Sequence, residues 1–256
     1  MRSRTRSARG EARIVAFVYG INPVIEALRA GRVRRVWIGG RGDRRTEEIV
    51  SLAQARSVSI ERVDGQALAR MTRGGVHQGV VADLSPAIDY SVEDLVASAA
   101  PDAPLLVVLD GVEDPHNVGA ITRSVDAAGA HGIIRQARHA AALDGAAAKA
   151  SAGATTVVRF ATVVNIARAL DALEKAGVWT VGFDGEALES YDEIDYTLPT
   201  AIVVGGEGEG LRRLTKERCD RLVRIPMAGS VDSLNVSVAT GIALFEAVRQ
   251  RRCKPR

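Results

Sequence analysis

Ala201–Val204 is a run of four apolar residues that passes directly into Gly205, Gly206, Glu207, Gly208, Glu209 and Gly210. A short, uninterrupted apolar run reads as a strand buried on both faces, and such strands belong to parallel sheets sandwiched between helices. The glycines at its end remove side chains, so the chain can turn tightly and a ligand can approach backbone amides. A second strand, expected over Arg221–Met227, ends in further small residues, AGS, before the segment VDSLN. In sheets of this kind ligands sit beyond the carboxyl ends of the strands, where both stretches fall.

The same alternation runs through the second half of the chain. Leu105–Asp110 reads as a buried strand, and the loop after it leads into a helix with Asp114 at its N-cap and Pro115 in its first position. Val118, Ile121, Val125 and Ala128 recur at helical spacing and form the core face of that helix. Arg123 projects almost opposite, either into solvent with Asp126 as an i,i+3 mate or toward a partner. Asn117 suits a turn or a cap as well as a site. Further strands are expected at Gly132–Ile134, Thr156–Phe160, Val178–Phe183 and Ile202–Val204. Helices are expected at Val164–Ala176, Leu211–Cys219 and Leu234–Arg249, with a Lys/Ala helix or loop up to Ala150. Single crossovers between these elements predict an α/β fold with a mostly parallel sheet covered on both faces.

Spacing excludes two common readings of the glycine loop. A phosphate-cradling loop needs Lys-Ser/Thr after its last glycine, and Gly210 is followed by Leu211 and Arg212. The dinucleotide fingerprint needs glycine at position 211 or 213, where Leu and Arg stand. Glu207 and Glu209 would repel a polyphosphate but accept a ligand with hydroxyls, an amine or a positive centre. Two cysteines, Cys219 and Cys253, and four dispersed histidines form neither a CxxC pair nor a metal-spaced set. No metal is therefore expected, and unpaired thiols suit a cytoplasmic protein. The longest apolar runs fall well short of the roughly 20 residues of a membrane span, so no membrane contact is expected.

A net charge of +3 is too small to argue for a polyanionic partner, but its distribution is uneven. Counting Arg and Lys against Asp and Glu, residues 1–13 carry +4, 14–88 carry +4, 89–104 carry −4 and 105–256 carry −1. Residues 1–13, rich in Arg and Ser, have little to bury and read as a disordered basic arm, a composition shared with organelle transit peptides. Residues 14–88 read as a small α/β unit: helix Asn22–Ala30, strand Val33–Ile38, helix Thr46–Ala55, strand Val58–Val63, helix Gln66–Met71 and strand Gly79–Leu84. Arg32, Arg34, Arg35, Arg41, Arg44 and Arg45 cluster around one strand and its loop, as a phosphate-contacting edge or as solvated surface. Residues 89–104, acidic and proline-bounded, are expected to be a linker that holds two halves apart without packing. The remainder, 105–256, is the second unit.

LDGVEDPHNVGAITRS, GGEGEGL and IPMAGSVDSLNVSVATG, in that order, resemble the three motifs of the SpoU/TrmH family of RNA ribose 2'-O-methyltransferases. A weaker resemblance around VYGINPVIEAL and GVHQGVVADL extends through residues 14–88 to the branch that methylates a guanosine ribose of 23S rRNA. The resemblance implies S-adenosylmethionine as cofactor, held by Gly205, Ile225 and Leu234 through backbone groups with Gly206, Met227 and Ser233 nearby. It implies Asn117, Arg123, Glu207, Ser233 and Asn235 as the polar active-site set, with Arg123 foremost. From the residues alone, Ser233 serves equally as a helix N-cap and Met227 as core. The resemblance further implies an L30e-like RNA-binding domain over 14–88, a deep trefoil knot in the catalytic SPOUT domain, and a homodimer built on the C-terminal helices, with Ala243, Phe245 and Val248 as candidate contacts. The implied substrate is the peptidyl-transferase P-loop of 23S rRNA. A tRNA ribose methyltransferase and a non-catalytic RNA-binding assembly factor are the alternatives.

Overall fold

The structure, a computed structural model, describes residues 17–40, 44–85, 89–137, 151 and 154–253. The expected arm, Arg41, the side chain of Arg44 and the Lys/Ala stretch 138–150 lie outside the described residues. The chain forms a four-stranded and an eight-stranded sheet.

The first sheet holds β1 (Phe17–Tyr19), β2 (Val33–Gly39), β3 (Ser59–Val63) and β4 (Val80–Leu84) in the order β1-β4-β2-β3. Strand β4 is antiparallel to both neighbours, and β3 is parallel to β2. Period-two alternation splits its residues cleanly. Val36, Ile38, Val80 and Ala82 pack under α1 (Ile21–Arg29) and α2 (Arg44–Ala55), with Val24, Leu28 and Ile49. Trp37 and Val81 face α3 (Gly65–Met71) and its Leu68. Helix α3 starts where the Asp64 carboxylate accepts the Ala67 N–H at 2.6 Å.

Three of the six arginines of the cluster, Arg32, Arg34 and Arg35, are engaged inside the chain. Arg34 donates to both carboxylate oxygens of Asp83 (2.9 and 2.8 Å), Arg35 lies over Trp37 and 3.7 Å from Glu61, and Arg32 donates to the Ser85 carbonyl. The strand's own arginines thus brace the sheet, because alternate side chains meet carboxylates on neighbouring strands.

The second sheet runs β10-β12-β9-β11-β6-β7-β8-β5, every recorded pairing parallel. Its members are β5 (Asp89–Tyr90), β6 (Leu105–Asp110), β7 (Gly132–Gln136), β8 (Phe160–Val163), β9 (Trp179–Phe183), β10 (Glu189–Ser190), β11 (Thr200–Gly205) and β12 (Arg221–Arg224). β6 and β11 lie side by side at the centre, with Asp110 in register with Gly205, and all six residues of β6 are buried. Leu105, Val107, Leu109, Ile202 and Val204 meet α5 (Pro115–Ala128) and α8 (Val236–Cys253) on one face. Leu106, Val108, Ala201 and Val203 meet α4 (Val92–Ala97) and α6 (Ile166–Lys175) on the other, with α7 (Arg213–Arg218) packed against α6. Each fully buried Leu or Val in this double layer stabilises by roughly 1.5–3 kcal/mol over leaving it exposed. No helix among the described residues is long and apolar enough to cross a membrane.

Two expectations differ from the structure. The acidic stretch read as an unpacked linker belongs to the second sheet: β5 pairs with β8, and Leu95 of α4 is fully buried beneath it. Ser91 caps α4 in a reciprocal box with Asp94, so one acidic residue serves the helix rather than solvent. The strand placed at Thr156–Phe160 lies at Phe160–Val163, because the Val157 and Val158 N–H groups both close a turn on the Ala154 carbonyl.

Candidate active site

The site lies at the carboxyl ends of β6 and β11. The Asp110 carbonyl accepts the Gly206 N–H at 2.9 Å, and its Oδ2 accepts the Arg212 N–H at 2.9 Å. Both ends of the glycine loop are thereby tied to β6. Two glycines are dictated by backbone crossing backbone: a Cβ at Gly205 would stand 2.0 Å from the Gly210 carbonyl carbon, and one at Gly206 would stand 2.4 Å from the Gly111 oxygen. Gly208 and Gly210 have open space but positive φ, +85° and +64°. Close chain crossing and turn geometry, rather than room for a ligand alone, account for these glycines.

This tethered loop positions Glu207 toward the first turn of α5 and the start of α8. The Asn117 amide donates to Glu207 Oε1 at 2.5 Å, and the Asn235 amide donates to Asn117 Oδ1 at 3.0 Å and to Glu207 Oε1 at 3.1 Å. Asn235 Oδ1 accepts the Ser237 N–H and hydroxyl at 3.0 and 2.6 Å, so Asn235 takes the capping role at the start of α8. Asp114 caps α5 by accepting the His116 N–H at 3.0 Å. Ser233, the alternative cap, is exposed and makes no hydrogen bond among the described residues.

Gly205, Gly206, Ile225, Met227, Ser233 and Leu234 all line one cavity of about 610 Å³, together with Glu207 and Asn235. Sequence reasoning missed its far wall, Phe183, Asp184, Glu186 and Lys216. Asp184 pairs with Lys216 at 2.5 Å and accepts the Glu186 N–H at 3.0 Å. Burial alone would raise the Asp184 carboxyl, but the hydrogen bonds from Lys216 and Glu186 outweigh it and hold the group below its ordinary range. The missed signal was available, since Asp184 follows a strand end just as Glu207 does. A second cavity of about 350 Å³ lies across the loop, lined by Asp110, Glu113, Asp114, Asn117 and Arg212, and shares Gly206, Glu207, Glu209 and Gly210 with the first.

Arg123 stands apart. It is exposed on α5, makes no hydrogen bond or ion pair among the described residues, Asp126 included, and lines neither cavity. Six residues separate it from Asn117, about 9 Å along a helix axis. Cys219 is no nucleophile: burial pushes its thiol up to about 12. Among the described residues no group of three or more His, Cys, Asp or Glu is placed to hold a metal.

Residues 104–245 match the SpoU rRNA Methylase family, and residues 17–89 match the family described as RNA 2'-O ribose methyltransferase substrate binding. A protein of Pseudomonas syringae pv. tomato named 23S rRNA (guanosine-2'-O-)-methyltransferase RlmB is 46% identical over 242 residues, 93% of this chain and 96% of its own. The Escherichia coli K12 protein of that name is 45% identical over 91% of this chain and 98% of its own. The crystal structure of the SpoU methyltransferase AviRb from Streptomyces viridochromogenes in complex with the cofactor AdoMet superposes with a TM-score of 0.78 at 30% identity, covering 93% of this chain and 91% of that one. The motifs, the parallel sheet and the convergence of their polar residues on one loop agree with these matches, and the chain belongs to the SpoU rRNA methylase family.

Proposed function

We propose that the chain transfers a methyl group from S-adenosylmethionine to the ribose 2'-hydroxyl of a guanosine in 23S rRNA, in the peptidyl-transferase P-loop. The observation that carries this reading is that the six residues expected to hold the cofactor line one cavity, whose shared wall bears the Asn117–Glu207–Asn235 network. The cavity suits that cofactor: its volume of about 610 Å³ is that of a small-ligand site, and Asp184, Glu186 and Glu207 favour a sulfonium, an ammonium and ribose hydroxyls. The bound cofactor supplies an activated methyl group. The protein's task is to align a hydroxyl with it and to manage the hydroxyl proton. Glu207 locks Asn117 and Asn235 in one orientation, which leaves them poised to hold a ribose. A guanidinium offers N–H donors and no acceptor, so anchoring the target phosphate and stabilising the developing alkoxide suit Arg123 better than taking the proton.

Because Arg123 lines neither cavity of its own chain, we assign completion of the site to a homodimer. Val238 and Phe245 of α8 are 49% and 51% exposed and offer the contact, whereas Ala243 is fully buried in the chain's own core and does not. Light scattering at micromolar concentration should give twice the chain mass, and a single-chain mass would overturn the dimer. Residues 14–88 would be the L30e-like RNA-binding domain and 105–256, with the β5 and α4 residues that pack into the same sheet, the catalytic one, acting in the cytoplasm. The family resemblance implies a deep trefoil knot in this domain, which an experimental trace without that threading would overturn. The relatives named as 23S rRNA methyltransferases favour rRNA over a tRNA substrate or a binding-only role.

Labelled methyl from S-adenosylmethionine should enter a 23S rRNA transcript with the wild-type protein. Arg123→Ala should lower that rate at least a hundredfold while calorimetry finds cofactor affinity within a few fold. No incorporation by the wild type would overturn the enzymatic reading, and equal loss of rate and affinity would overturn the role of Arg123.

A further inference from the structure

The cavity of about 350 Å³ across the glycine loop has no task in the reaction proposed above, yet it shares a wall with the cofactor cavity. Its polar groups are unevenly used. Glu207 Oε1 is engaged by Asn117 and Asn235, and Asp114 Oδ1 by the His116 N–H. Arg212 Nη1 donates to Gln136 at 2.6 Å, though the side chain is still 45% exposed. Asp110, whose side chain is fully buried, spends Oδ2 on the Arg212 N–H. Its Oδ1 has no hydrogen-bond partner, with Arg212 Nη1 3.5 Å away. Glu209 is exposed and makes no hydrogen bond or ion pair among the described residues. Carboxylate acceptors are left over, and one half-exposed arginine stands among them.

Such a cavity repels a phosphate. It calls for a neutral, planar group that presents N–H donors to a carboxylate and an acceptor to a guanidinium. Of the four RNA bases only guanine carries two neighbouring donors, N1–H and N2–H, beside an acceptor, O6. Adenine and cytosine would turn a bare ring nitrogen toward the carboxylate, and uracil offers one N–H between two carbonyls. Enzymes that act on one nucleotide draw it out of the stack into a pocket, which this cavity provides beside the cofactor site. We propose that the second cavity receives the guanine of the target nucleotide, with Glu209 accepting N1–H and N2–H and Arg212 facing O6. Glu209 is then the residue that sets base preference. This rests on the methyl-transfer reading and names its specificity determinant.

The test uses the full chain and a 23S rRNA fragment carrying either guanosine or inosine, which lacks the N2 amine, at the methylated position. Loss of half of a bidentate contact should give the wild type a preference for guanosine of about tenfold or more in kcat/KM. Glu209→Gln turns one acceptor into a donor and should cut that preference below about threefold. Glu209→Ala should do the same; because the readout is the ratio of kcat/KM for two substrates at one saturating cofactor concentration, any effect of either variant on the shared cofactor wall cancels. A preference unchanged in both variants overturns the proposal, as does a wild type indifferent to inosine. A wild type that methylates no RNA overturns the functional reading as well, so the two failures are distinguishable.

Discussion

The two ends of the central strands β6 and β11 are built on opposite plans. At their amino ends Arg251 donates to the carbonyls of Tyr196, Ala103, Pro104 and Leu198, at 2.9, 2.6, 2.9 and 3.1 Å. Gln250 exchanges hydrogen bonds with the Tyr196 N–H and the Ile194 carbonyl, and the Leu105 N–H donates to His131 Nδ1 at 3.0 Å. The backbone groups named there are satisfied within the chain. At the carboxyl ends two cavities open, and Asp110 Oδ1 and the Glu209 carboxylate accept no hydrogen bond among the described residues. The same pair of strands thus ends in a clamp on one side and a receptor on the other. Damage to the clamp should register as stability, and damage to the receptor as chemistry. The glycines of the loop are the exception, since they serve both.

The largest effects are therefore expected at Gly205, where a Cβ would stand 2.0 Å from the Gly210 carbonyl carbon, and at Gly206. A Cβ there meets the Gly111 oxygen at 2.4 Å, and both contact partners are backbone, so no side-chain rotation can relieve the clash. Gly206→Ala should cost about 3 kcal/mol or more and abolish cofactor binding together with stability. Gly208→Ala is the reference, with open space around its Cβ but φ at +85°, and should cost only about 1 kcal/mol. Denaturant midpoints of the two variants measure the difference. Equal midpoints would mean that the crossing of the loop over Gly111 is slack and that the glycines serve turn geometry alone.

How much of this was legible in the sequence depends on whether the signal was local. β6 and β11 could be read because an all-apolar run has one plausible fate in a doubly covered sheet. The strand at Phe160–Val163 was misplaced because Val157 and Val158 look like strand residues, yet Val157 is 41% exposed beside a tight turn. β5 was unreadable: two residues make a strand only by pairing with β8, about seventy positions later. The Asn117–Glu207–Asn235 network joins residues 90 and 118 positions apart, and only the family resemblance brought them together. Nor could spacing show that Arg123 would stand outside both cavities, because a helical position fixes a direction and not a distance from the site. The glycines were recognised as special, but the contact that demands Gly206 lies on another strand's loop.

The smaller and cleaner test is on the clamp. Arg251→Ala removes a half-buried guanidinium and strips a donor from four carbonyl oxygens on two segments. Some of those oxygens will recover a hydrogen bond from water, so the expected loss is about 2 kcal/mol rather than the sum of four bonds. For a chain of this size that corresponds to a melting temperature lower by about 4–8 °C. Arg251→Lys should restore only part of it, because one ammonium cannot point at carbonyls that the fork reaches from three nitrogens. Cofactor affinity should be unchanged in both variants, since the clamp lies at the end of the strands away from either cavity. A variant that loses cofactor affinity in step with stability would show that the two ends are mechanically coupled through β6 and β11, and the division between clamp and receptor would fail.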